Sequence, residues 1–201
     1  MRIQAMFATL ALLGASGSAM AQDFVFKVGA HQVSPRSDNG RLANGALQAD
    51  VSGDWRPTFS LEYFLGEKWG VELLAATPFK HEVRLNGVRA AEVSHLPPTL
   101  SLKYHFARNS RISPFVGIGL NYTAFFDVHE SGPLAGTQLS LSKSWGAAAQ
   151  AGVDFAINDK WLFAVDLRWM DIDTQARVNG TKVGTVHIDP LAYGIALGYR
   201  F

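Results

Sequence analysis

The residues of this chain that could do chemistry are spaced to pair with one another more than to react. Lys27, Glu62, Glu72, Lys103, Asp154, Asp166, Arg168 and Arg200 each sit at alternate positions among small or polar neighbours, opposite bulky apolar residues. Four are basic and four acidic, and His105 stands beside Lys103 on the same face. Gathered in a narrow interior, opposite charges pair, because an unpaired buried charge is costly. The expected result is an ion-pair network with a structural role. Seven of the nine fall near one rim, and Asp166 and Arg168 fall near mid-height.

Catalytic patterns fail one by one. His81-Glu82 begins like a zinc-protease motif, but position 85 is Leu85 and not a second His. The six His residues lack ligand spacing, so no metal and no cofactor is expected. Gly117-Ile-Gly119 has no third glycine and no βαβ pattern after it. No serine stands in a G-x-S-x-G elbow. Glu92, Ser94 and His95 come nearest to a hydrolytic set, at an unspecific spacing. A net charge of +1 gives no reason to expect a nucleic-acid partner. The chain reads as a non-enzyme.

The elements that must position the charges are strands. Residue types alternate with a period of two over 23–33, 55–65, 69–79, 97–107, 112–126, 144–155, 161–171 and 186–201. In the last of these, Leu191, Tyr193, Ile195, Leu197, Tyr199 and Phe201 face one way. Pro190, Ala192, Gly194, Ala196, Gly198 and Arg200 face the other. Three short turns, after Leu65, Ala107 and Ile157, alternate with four long connections, three of them at 34–53, 80–96 and 127–141 and the fourth running to about Gly184. These connections read as long loops, the first of them polar. Asn86-Gly87 and Asn179-Gly180 are turn signals within them.

Eight strands in this rhythm predict an all-β fold. It is an eight-stranded antiparallel transmembrane β-barrel, with short periplasmic turns and four longer extracellular loops. Small residues fit the tight interior of such a barrel, and the bulky face then meets lipid. A soluble barrel would bury the bulky face instead. Aromatics gather in two bands: Phe24, Tyr63, Trp69, Tyr104, Phe106, Phe155, Trp161, Tyr199 and Phe201 at the periplasmic rim, and Phe79, Tyr122, Phe126 and Trp169 toward the outside.

Residues 1–21 read as a cleaved secretory signal peptide: Arg2, an apolar run over 5–13, and the small-x-small site Ala19-Met20-Ala21. Residues 22–201 then form the barrel. There is no cysteine, so no disulfide staples it.

Several stretches, in order along most of the chain, carry a family resemblance. They are Gly70-Val-Glu-Leu-Leu-Ala-Ala-Thr-Pro-Phe-Lys-His81, His95-Leu-Pro-Pro-Thr-Leu100, Pro114-Phe-Val-Gly-Ile-Gly-Leu-Asn-Tyr-Thr-Ala-Phe-Phe-Asp127, Ser144-Trp-Gly-Ala-Ala-Ala-Gln-Ala-Gly-Val-Asp154, Met170-Asp-Ile-Asp-Thr174, Ile188-Asp-Pro190 and terminal Tyr199-Arg-Phe201. The chain resembles the OmpW family of small outer-membrane barrels. The resemblance implies a monomer in the outer membrane of a Gram-negative bacterium, in contact with lipid and lipopolysaccharide, that passes small hydrophobic molecules. Tyr199 and Phe201 resemble the terminal signal read by the barrel-assembly machinery.

Toward the outer side the inward residues turn apolar: Leu74, Ala76, Pro78, Phe125, Met170 and Ala192. They predict a pocket open to the outside and closed below by the charged plug. Pro78, Pro97 and Pro98 give no ladder hydrogen bonds and lie near the outer ends of adjacent strands. They mark a candidate lateral gate. The alternative is a structural barrel whose loops bind host, phage or toxin partners.

Overall fold

The computed structural model describes residues 23–201. The expected signal segment and its cleavage site lie outside the described residues. Fifteen strands follow along the described chain: β1 (Phe24–Ser34), β2 (Arg41–Leu42), β3 (Leu47–Val51), β4 (Asp54–Phe64), β5 (Trp69–Ala76), β6 (Phe79–Leu85), β7 (Val88–Leu96), β8 (Thr99–His105), β9 (Ile112–Glu130), β10 (Leu139–Leu141), β11 (Ser144–Ala156), β12 (Trp161–Met170), β13 (Asp173–Val178), β14 (Thr181–His187) and β15 (Leu191–Arg200).

Eight of them close a barrel. Antiparallel pairing runs β1–β4–β5–β8–β9–β11–β12–β15 and returns to β1. The ring of strands closes on itself, as a bilayer-spanning sheet requires. The alternation read from the sequence sets the two faces. On β15, Tyr193, Ile195 and Leu197 are 45–50% exposed, while Ala192 and Ala196 are 2% and 7% exposed. Bulk points out and small residues point in. Among the described residues no helix is long and apolar enough to cross a membrane.

Aromatic rings pack in series around the end that carries the short turns. Phe24 meets Tyr63 at 4.8 Å, Trp69 meets Tyr104 at 5.0 Å, and Trp161 meets Tyr199 at 5.0 Å. The opposite band includes Tyr122 with Trp145 at 4.7 Å and Trp55 with Tyr193 at 6.0 Å. Phe79 does not join that band. It is fully buried inside.

The outer connections are not long loops but mostly strand. β6 and β7 form a hairpin over Asn86-Gly87, whose φ values of 50° and 79° are those of a type I′ turn. β13 and β14 form a second over Asn179-Gly180, at 49° and 80°. β7 pairs with the outer half of β9, β3 pairs with β6, and β10 pairs with β13. Short apolar alternations drive this. Phe79, His81 and Leu85 are buried on β6, and Thr174 and Ala176 on β13. The hairpins lean together over one cluster of sixteen buried apolar residues, which runs from the cap down to Ala148, Met170 and Ala192 in the barrel.

One register detail corrects the sequence reading. Along β5 the inward residues are Gly70, Glu72 and Leu74, on even numbers. After Thr77-Pro78 the buried residues are Phe79, His81 and Leu85, on odd numbers. Residues Thr77 and Pro78 insert one position, and a one-residue slip exchanges the faces. Pro78 is therefore exposed, and Phe79 takes the inward place assigned to it.

Candidate functional site

The interior is best followed upward from the short-turn end. Arg200 is half-buried there, in a wide mouth shared with Asp23, Arg108, Asn109, Asp159 and Lys160. It makes none of the plug's ion pairs, contrary to its expected place. The strand's last residues have already reached the rim.

Above the mouth the other eight predicted plug residues meet as one network. Lys27 Nζ donates to Asp154 at 2.8 Å and lies 3.7 Å from Glu62. Lys103 Nζ donates to Glu62 at 2.7 Å and to Glu72 at 3.1 Å. Arg168 donates to Glu72 at 2.9 Å and to Asp166 at 2.6 Å. His105 Nε2 donates to Glu62 at 2.7 Å. All are buried, Lys103 completely. Three cations thus face four carboxylates.

The structure adds members that the spacing had not singled out. His31 Nε2 donates to Asp166 at 3.1 Å, and its Nδ1 meets the Thr58 hydroxyl at 2.7 Å. Gln150 and Ser60 each reach Glu72 at 3.4 Å. Phe115 lies under Lys103, with Nζ 4.0 Å from the ring centroid, a cation–π contact. His31 stands four positions from Lys27 and Gln150 four from Asp154, so both were legible as inward polar residues. Glycine makes the network possible. A Cβ on Gly70 would fall 2.4 Å from Glu62 Oε1, and one on Gly194 would fall 2.6 Å from the His31 ring. Larger residues there would drive the charges apart.

Two clusters resemble metal sites and are already engaged. Glu62, His105 and Asp154 bring ligand atoms within 4.8 Å, but Lys27 and Lys103 sit against these carboxylates. At the outer surface His187 bonds Asp173 at 2.6 Å, and Asp189 pairs with Arg36 at 3.1 Å. The hydrolytic candidates are not brought together either. Glu92 pairs with Arg89 at the surface, and Ser94 makes no hydrogen bond to His95.

Directly above Arg168, past His31 and Thr58, the lining becomes mostly apolar. Leu74, Ala76, Met170 and Ala192 meet as expected, together with Val33, Phe79 and Pro97. The free space among them is about 10 Å³, room for one water at most. Pro78 is absent from this group, for the register reason above.

Phe125 lines a larger cavity above, in the cap. Its volume is about 80 Å³, and its wall is apolar: Leu42, Leu47, Val51, Val83, Leu85, Val93, Leu139, Leu141, Val178, Val183, Val186 and Ile188, with His81 and His95. Phe125 was expected in an apolar pocket, and His81 and His95 were singled out only for catalytic patterns; the other residues of this wall were not singled out from the sequence. The signal was present as short alternations within stretches that looked polar, such as Leu139-Ser-Leu141. Burial pushes the His95 imidazole well below its usual range, and neighbouring His81 adds to this. Burial also lowers His81, partly opposed by its bond to the Ser52 carbonyl.

The wall beside this region carries a seam. β5 and β8 pair up to Leu74↔Thr99, and β6 and β7 resume at Phe79↔His95. Between them residues 75–78 face 96–98 without a ladder pair. The far side of the Pro-Pro step is held: Asn121 Nδ2 donates to the carbonyls of Pro97 and Pro98 at 3.2 and 3.3 Å, and Tyr122 N donates to Pro98 at 3.0 Å.

This geometry has relatives. The model of the OmpW family matches residues 20–201. The chain belongs to the OmpW family. Outer membrane protein W of Escherichia coli K12 is 38% identical to it over 210 residues, 99% of this chain and 98% of that one. The crystal structure of OprG from Pseudomonas aeruginosa superposes with a TM-score of 0.81 at 35% identity, covering 90% and 97% of the two chains. More distant is the dibenzothiophene metabolism operon protein PahQ of Pseudomonas aeruginosa, 26% identical over 170 residues, 81% of this chain and 79% of that one. The protein is thus an OmpW-family barrel of the Gram-negative outer membrane, with lipid against its bulky face.

Proposed function

We propose that the protein takes up small hydrophobic molecules passively. A solute enters the cap cavity from outside, moves down to the apolar floor at Leu74 and Met170, and leaves sideways through the seam into the bilayer. The observation that carries this reading is the abrupt change at Arg168. A mostly apolar lining, with only His31 and Thr58 polar beside Arg168, lies above it, and a network in which every charge is paired lies below. A greasy molecule gains nothing by entering the network, since displacing any member strands a buried charge. The unpaired interval between 75–78 and 96–98 offers the other way out. The relation to PahQ, whose operon is named for an apolar sulfur heterocycle, agrees with such a cargo.

Lipopolysaccharide around the cap, assembly through Tyr199 and Phe201, cleavage of residues 1–21 and a monomeric state belong to the same proposal. So does the absence of a catalytic role. The reading is tested by uptake of decane into cells carrying the wild type or Leu74→Arg at equal amounts of folded barrel. Uptake is expected to fall about tenfold or more, because a guanidinium in the floor is unpaired and hydrated. Unchanged uptake would remove the floor from the route.

A further inference from the structure

Two imidazoles stand in the wall of the otherwise apolar cap cavity. His81 and His95 stack with centroids 4.7 Å apart and planes 8° apart, and Phe79 stacks on His95 at 5.5 Å. They are 2% and 1% exposed. Each carries a buried Nε2 with no hydrogen-bond partner. A buried polar atom is normally satisfied, so two on one wall of one cavity call for an explanation.

The stack cannot satisfy itself. Lone pairs and N–H bonds of imidazole lie in the ring plane, and parallel planes aim them past each other. The tautomer of His81 is set by its neighbour. Its Nδ1 meets the Ser52 carbonyl, which only accepts, so Nδ1 holds the hydrogen and Nε2 presents a lone pair. The His95 Nε2 has no hydrogen-bond partner and no neighbour fixes its tautomer, so this nitrogen can carry the hydrogen. In its neutral form His81 therefore offers an acceptor, beside a His95 nitrogen that can donate.

We propose that His81 and His95 form a head-group subsite for an amphiphile with a single hydroxyl, such as a medium-chain alcohol or protonated fatty acid. The hydroxyl donates to His81 Nε2 and an oxygen of the same head group accepts from His95 Nε2. The chain lies among Val93, Phe125, Leu139 and Val186. This rests on the cavity being the solute site and deepens it. An alkane leaves both nitrogens unsatisfied, and an ester brings no donor for His81. The cavity, about 80 Å³, is smaller than a benzene-sized void of about 150 Å³, so the hairpins part as the chain enters.

The test uses the full barrel in lipid nanodiscs, labelled with 15N at histidine, titrated with decan-1-ol, methyl decanoate and decane. Decan-1-ol is expected to shift both Nε2 signals and to saturate at about one-tenth the concentration needed by decane, with methyl decanoate between them. His81→Phe keeps the stack but not the nitrogen, and is expected to bring the three probes within about twofold of each other. Equal affinities in the wild type, or a preference that survives His81→Phe, would overturn the subsite and leave the cavity reading intact. No saturable binding of any probe would overturn the cavity reading itself. The wild-type series decides the matter even where the variant does not fold.

Discussion

The lower and upper halves of this barrel are built from the same two-residue alternation and end in opposite states. In the lower lumen every inward charge of the plug has a partner, and glycines such as Gly70 hold the space open for them. In the cap the inward residues are apolar, a cavity remains, and two imidazole nitrogens lack partners. The lower region pairs all its charges and leaves only the Gln150 amide oxygen without a partner, whereas the upper one leaves two ring nitrogens facing a cavity. The difference teaches where to look for function. A saturated network resists change, because removing one member exposes the rest. A loosely filled apolar cap can admit a guest at small cost.

The largest effect should come from breaking the paired half. Lys103→Met leaves Glu62 and Glu72 without their shared, fully buried cation. Stability in urea is expected to fall by about 3–5 kcal/mol. A loss below about 1 kcal/mol would mean that water or other cations replace the pair. A smaller and more selective effect should come from the seam. The chain has no native cysteine, so Ala75→Cys with Pro98→Cys gives an unambiguous cross-link across the unpaired interval. Oxidation is expected to lower decane uptake several-fold, about three- to tenfold, and reduction to restore it. Uptake that ignores the cross-link would place the exit elsewhere. The smallest effect belongs to Arg200→Ala. Because Arg200 stands in the mouth, outside the network, its loss should change stability by no more than about 0.5 kcal/mol. A change as large as that of Lys103→Met would return it to the plug.

Most of the barrel was legible because membrane-facing and lumen-facing residues obey one strict period. Lys27, Glu62 and Asp154 could be placed together on that basis alone, since charges on inward positions of a narrow barrel have nowhere else to go. Arg200 lies near the rim, as its position on the strand indicates, but phase gives the face and not the partners, and no plug carboxylate reaches it. Pro78 was misplaced because a single inserted residue at Thr77-Pro78 exchanges the faces, and no composition marks it as an insertion. The cap was missed for another reason. Its strands are short, and the polar turn residues between them, Asn86-Gly87 and Asn179-Gly180, dominate their average character. Only pairing partners far along the chain, as between β7 and β9, make Val93 and Phe125 neighbours in one wall. Such contacts are set by tertiary structure and leave little local trace.

The central claim is that a hydrophobic solute occupies the cap and the seam and does not cross the plug. The most direct measurement is diffraction from crystals soaked in 1-bromodecane, with bromine located by its anomalous scattering. The account predicts bromine among Phe125, Leu139 and Val186 or beside Pro97, and none between Arg168 and Lys27. Bromine sites running from the cap through the ion-pair network to the mouth at Asp23 and Arg108 would contradict it.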